Sequence, residues 1–113
     1  MDCLFCKIVE GTIPAKKVYD DDDVLAFLDI NPVAPEHILV IPKKHIASMS
    51  ELKEEDAPLM GKVMYVAAKV AEERGMAESG YRMVINNGRD GLQTVFHIHV
   101  HVLGKRKMSW PPG

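Results

Sequence analysis

The sequence predicts an α+β domain, with an antiparallel sheet of about five strands, one long helix and a short N-terminal helix. Three observations carry this. One long stretch, Glu54 to Arg74, repeats apolar residues at helical spacing. Five shorter runs are β-branched or alternate in polarity. Glycine, proline and acidic residues separate them. With 113 residues and 47% hydrophobic content, the chain is sized for one folded domain over residues 1–113.

Taken in order, residues 4–10 predict a short helical turn closed by Gly11. Lys17 to Tyr19 and Val24 to Ile30 predict strands flanking the acidic run Asp20 to Asp23, a solvated turn. Asn31-Pro32-Val33-Ala34-Pro35 is a loop, because each proline removes a donor and restricts its predecessor. His37-Ile38-Leu39-Val40-Ile41 is nearly all apolar and suits a central strand ended by Pro42. The long helix starts near Glu54, with Pro58 in its first turn, acidic residues at its positive end and Gly75 after its last turn. Leu59, Val63, Val66 and Val70 form one apolar stripe on it, and Met60, Met64, Ala67 and Ala71 form a second. The second stripe fits either a broadly buried helix or a face covered by a partner subunit. Tyr81 to Asn86 and Val95 to Leu103 are the last strands, and residues 105–113 form an irregular tail.

Composition excludes several classes. A net charge of −2 gives no broad electrostatic case for nucleic-acid binding. No apolar run is long enough to span a bilayer, and the N-terminus lacks the basic start and apolar run of a signal peptide. A cytoplasmic location is the resulting expectation. Cys3 and Cys6 stand in Cys-x-x-Cys spacing, which in a reducing compartment points to metal or redox chemistry more than to a structural disulfide.

The chemistry concentrates in His97-Ile98-His99-Val100-His101-Val102-Leu103. In an extended chain the three imidazoles share one face and the aliphatic residues the other. Imidazole titrates near neutral pH, binds metals and acts as a nucleophile. The preceding loop, Asn87 to Thr94, carries Gly88 and Gly91 and can present backbone N–H groups to a phosphate. A plain hairpin loop is the alternative for that segment alone.

This segment resembles the His-φ-His-φ-His-φ-φ motif of the histidine triad (HIT) superfamily. Ile13-Pro14-Ala15-Lys16, Phe27-Leu28-Asp29-Ile30, Leu39 to Ile46, Gly80 to Val84 and the terminal Trp110-Pro111-Pro112-Gly113 resemble its Hint branch. The resemblance covers nearly the whole chain. It implies a HIT-like fold and a homodimer that binds purine nucleotides such as AMP or GMP and hydrolyses nucleoside 5′-phosphoramidates. The alternatives that it implies are a dinucleoside polyphosphate hydrolase or nucleotidyl transferase of the same fold, or a nucleotide-binding regulator.

Carried over by residue, the resemblance implies His99 as the nucleophile and His101 as the contact to phosphate and leaving group. It implies that His97 supports the strand and that His37 orients His99 and sets its tautomer. Asp29 would accept hydrogen bonds from the ribose hydroxyls. Phe27, Ile30 and Leu39 would form the purine pocket, and Asn86, Gln93 and Thr94 the ribose–phosphate side. The family commonly has Gly-Gly-Gln-Ser where this chain has Gly91-Leu92-Gln93-Thr94, so Leu92 bears on the loop's backbone angles while its N–H stays available. Some bacterial-type members use an N-terminal cysteine pair and two histidines for a structural zinc. Here these would be Cys3, Cys6, His45 and His97, with no metal required for catalysis.

Overall fold

The computed structural model describes residues 2–113. The elements are α1 (Leu4–Glu10), β1 (Lys17–Asp20), β2 (Val24–Leu28), β3 (Glu36–Pro42), α2 (Ala57–Glu73), β4 (Tyr81–Val84) and β5 (Val100–Gly104). The five strands form one sheet in the order β1-β2-β3-β5-β4, every pair antiparallel. β3 lies at the centre, as its unbroken apolar run predicts.

Strand alternation divides the molecule into two layers. Val24, Ala26, Ile38, Val40, Val100 and Val102 face one side and pack on Val63, Val66, Ala67, Val70 and Ala71 of α2. Leu25, Phe27, Leu39 and Ile41 face the other side and pack on Cys3, Phe5 and Ile8 at α1. His37 and His101 fall on this second side by the same period of two. One sheet face therefore secures the fold through the long helix. The other keeps room for a site beside a helix of only seven residues.

Several boundaries differ from expectation, each for a local reason. Residues 54–56 form a 3-10 turn and the α-helix begins at Ala57. The Asp56 carboxylate accepts the Lys53 N–H at 3.0 Å, a local bond that competes with a helical start at Glu54. α2 closes as expected, with Gly75 at φ 76°. The predicted last strand loses its first half. Pro42 ends β3 without an N–H to give, so the ladder opposite stops at Val100. Residues before Val100 are held by isolated bonds instead, among them Ile98 N–H to Ile46 O at 2.7 Å. β2 ends at Leu28 and β4 at Val84, each two residues earlier than expected.

The two stripes of α2 merge into one buried face. Ala67 and Ala71, assigned to a separate stripe, are fully covered by this chain's own sheet, whereas Met64 remains 40% exposed. Small side chains let the helix seat closely, which widens the arc that the sheet covers. The acidic run is a working turn. Asp21 accepts the N–H groups of Asp23 and Val24 at 2.8 Å, and Lys62 of α2 pairs with Asp21 and Asp23. No helix among the described residues is long and apolar enough to cross a membrane.

Candidate functional site

A cavity of about 620 Å³ opens on the α1 side of the sheet. Phe27, Asp29, Ile30, Leu39, Asn86, Thr94, His37, His99 and His101 all line it. Residues far apart in the sequence are thus brought together as the resemblance implied. Leu4, Phe5 and Ile8 of α1 complete one wall, a contribution the sequence reading did not assign. The Cys-x-x-Cys pair was the available signal, since tying it to His97 draws α1 against the active strand.

Two predicted residues lie elsewhere. Gln93 is buried behind the loop. Its Nε2 donates to Ala47 O at 2.7 Å and Val95 O at 3.1 Å, and its Oε1 accepts the Gly88 N–H at 3.0 Å. It braces the loop. His97 is fully buried and faces the cysteines, away from the cavity.

The loop also departs from the expected phosphate cradle. The Leu92 N–H, expected to stay available, donates to Arg89 O at 3.0 Å, and the Gln93 N–H donates to Gly88 O at 3.0 Å. The chain turns tightly on itself here, so these donors close turns inside the loop. Gly91 is required by the same compactness, because a Cβ there would sit 2.5 Å from Asn87 O. Leu92 adopts φ 65°, a left-handed conformation that costs an L-residue about 1 kcal/mol.

Carbonyl oxygens and backbone N–H groups fix the histidine tautomers. His99 Nδ1 lies 2.7 Å from His97 O, which can only accept, so Nδ1 carries the proton and Nε2 is bare. The Val33 N–H donates to His37 Nδ1 at 3.1 Å, so His37 carries its proton on Nε2. That proton points at His101 Nδ1, 2.9 Å away, with Asp29 Oδ2 a second acceptor at 3.4 Å. His101 therefore holds its own proton on Nε2. The structure corrects the role expected of His37, which orients His101. His99 takes its tautomer from the backbone carbonyl of His97. Phe5 meets the His99 ring edge-on at 5.1 Å and limits its rotation.

This arrangement offers a lone pair on one buried ring and an N–H on its neighbour, with ring centres 4.9 Å apart. Burial pushes His99 and His37 below the ordinary histidine value. Burial, with His99 and His37 alongside, pushes His101 down to about 4. At neutral pH these rings are uncharged.

A stability prediction follows from His101, which faces Asp29, His37 and His99. Its folded value is lowered, so between pH 6.5 and about 4 the unfolded chain binds the extra proton and the folded chain does not. Stability therefore falls as pH drops through this window. The urea midpoint is expected to decrease steadily from pH 7 to pH 4.5, and His101→Gln should flatten that slope. An equal slope in both proteins would refute the assignment.

Cys3 Sγ, Cys6 Sγ, His45 Nδ1 and His97 Nδ1 lie within 4.8 Å of one another. His97 Nε2 donates to Pro42 O at 2.7 Å, which leaves Nδ1 bare toward the cysteines. Sulfur–nitrogen separations are 3.4 to 3.6 Å. A tetrahedral zinc with ordinary bond lengths requires roughly 3.5 Å between such ligands. The donor set, its spacing and the free Nδ1 all fit zinc. Burial and the neighbouring Cys3 push the Cys6 thiol up to about 11 without an ion. Asp29, His37 and His101 form a second close group. Val33 holds their His37 proton on Nε2, the position a metal would need.

The HIT domain family matches residues 10–108. The chain is 50% identical to a 14 kDa zinc-binding protein of Zea mays, over 97% of this chain and 87% of that protein. The crystal structure of a HIT family hydrolase from Legionella pneumophila superposes with a TM-score of 0.97 at 50% identity, covering 99% of this chain and 100% of the other. A histidine triad nucleotide-binding protein from Candida albicans superposes with a TM-score of 0.83 at 31% identity, covering 97% and 83%.

Proposed function

The chain belongs to the HIT domain family, and from that premise we propose that it is a nucleotide-binding hydrolase that cleaves the P–N bond of purine nucleoside 5′-phosphoramidates. The observation that carries the reading is the bare His99 Nε2 beside the His101 Nε2–H in one cavity. The hydrolase and nucleotide-binding relatives support the general reaction class.

In this reading Phe27, Ile30 and Leu39 receive the purine, and Asp29 accepts the ribose hydroxyls. Asn86 and Thr94 contact the ribose–phosphate side, with Gln93 holding their loop. His99 Nε2 attacks the α-phosphorus. The P–N bond of the substrate breaks, and its electron pair leaves on the amine nitrogen. The phosphate's negative charge opposes the effect of burial on His101, so as substrate binds the ring takes up a proton from solvent at Nδ1, the His37 Nε2–H turning to Asp29 Oδ2, and the His101 Nε2–H then passes to the departing amine. The nucleotide is then held on His99, whose Nδ1–H remains anchored to His97 O. Water attacks the phosphorus, gives a proton to His101 and displaces His99 Nε2. The products are nucleoside monophosphate and amine.

Among the described residues no lysine or arginine lines the cavity, and Asp29 is its one carboxylate. A single phosphate suits this better than a polyphosphate, whose several charges need cations. The expected result is turnover of adenosine 5′-phosphoramidate at least a hundredfold faster, in kcat/KM, than of a diadenosine polyphosphate. The reverse order would move the assignment to the polyphosphate hydrolase. Tight binding of AMP without turnover of either would move it to a regulator.

We also propose a structural zinc held by Cys3, Cys6, His45 and His97, supported by the donor geometry and by the zinc-binding relative. Four protein ligands leave no position for substrate, so the ion would fix position rather than supply chemistry. A cytoplasmic homodimer completes the proposal. Met64 and Tyr65, neighbours on α2 at 40% and 69% exposure, and Trp110 at 81% supply apolar surface for a second copy.

A further inference from the structure

We propose that Leu92 is a specificity-determining residue that favours phosphoramidates whose amine carries an apolar group, an inference that rests on the phosphoramidase reading. Leu92 combines three features that ordinary packing does not explain. It adopts φ 65°, where a Cβ is strained and glycine is not. The residue is 76% exposed and belongs to neither core cluster, so the fold gains little from its side chain. It lines the cavity. A strained residue that contributes no packing and borders a site points to a role in that site.

The position of Leu92 suggests which part of the substrate it meets. The base end of the cavity belongs to Phe27 and Leu39, beside α1. Leu92 lines the same cavity two residues from Thr94, on the loop that the proposed reading gives to the ribose–phosphate side. In-line displacement from His99 sends the amine away from the nucleophile, toward the open mouth. The mouth has little to hold an amine that carries a carboxylate. No cationic side chain lines it among the described residues, and Arg89 and Asp90 on the same loop pair with each other in solvent. Val33, also exposed at 62%, adds a further apolar wall. An alkyl or aromatic group on the amine would cover Leu92 and leave water, whereas a carboxylate there would lose hydration with no partner.

The test compares N-benzyl and N-carboxymethyl adenosine 5′-phosphoramidates in the parent, Leu92→Asn and Leu92→Gly proteins. Asparagine keeps the approximate size and accepts a left-handed backbone, and glycine removes the side chain, so both variants should melt no lower than the parent. The ratio of kcat/KM for benzyl over carboxymethyl is expected to fall about tenfold in each variant, the usual scale for an apolar contact in a pocket. Comparing ratios between proteins cancels the intrinsic reactivity of the two compounds. An unchanged ratio with both substrates turned over would overturn the role of Leu92 alone. A clear drop in melting temperature would show that Leu92 serves packing, and would also overturn it. No turnover of either compound by the parent would remove the phosphoramidase reading and this inference together.

Discussion

His99→Ala is expected to lower kcat/KM for adenosine 5′-phosphoramidate by about 10⁴-fold or more, the scale seen when a covalent nucleophile is removed. The magnitude reflects the arrangement around the ring. His97 O holds the Nδ1 proton, Phe5 blocks rotation, and burial keeps the ring neutral, so Nε2 is presented with its lone pair free. Alanine removes all of this and leaves the cavity wall otherwise intact. AMP affinity should therefore change by less than about tenfold, since Phe27, Leu39 and Asp29 remain. Acid quenching during turnover should trap a nucleotidyl adduct that maps to His99 in the parent and is absent in the variant. An adduct on His97 or His101 would reject the assignment. His97 is a poor candidate on geometry, because its Nε2 is bonded to Pro42 O and its Nδ1 faces the cysteines.

Removing one zinc ligand should produce the largest stability effect. Protein prepared without chelator is expected to hold about one zinc per chain, and Cys6→Ser to hold none. At a zinc concentration 1,000-fold above its dissociation constant, binding contributes about 4 kcal/mol. For a domain of this size that corresponds to a fall of about 15 °C in melting temperature. Turnover should survive better than stability. Neither His99 nor His101 is among the four ligands, and the link to the nucleophile runs through His97 and through Phe5, which packs on both His97 and His99. The His97 side chain faces the cysteines while its carbonyl fixes His99. Some loss of rate is therefore expected from looser positioning of the nucleophile. Elemental analysis finding no metal in fresh, reduced protein would sink the zinc proposal and leave the hydrolase reading in place.

Much of this molecule was legible in one dimension because it follows from periodicity. Alternation in β2 and β3 and the helical spacing of α2 set which side chains face the core, and the sheet forms with that parity. The triad segment keeps its three imidazoles off the α2 side even though only its second half joins the ladder. The Cys-x-x-Cys pair and two distant histidines converge as the resemblance implied. Side-chain type and spacing determined the fold class and the core, and the resemblance supplied most residues of the cavity, but not the wall made by Leu4, Phe5 and Ile8.

Tertiary structure decided what depends on backbone atoms and on which groups are already engaged. His37 serves His101 because Val33 N–H fixes one of its nitrogens and the register of β3 with β5 sets the other. Gln93 braces a loop because Ala47 O and Val95 O happen to reach it. Leu92 gives its N–H to Arg89 and turns into a left-handed conformation, whereas the sequence showed only a side chain where the motif it resembles commonly has glycine. Main-chain carbonyls and N–H groups are the same in every residue, so no sequence pattern distinguishes the few that become partners. Only folding brings one of them within 3 Å of a ring nitrogen, and that contact decides where the proton sits.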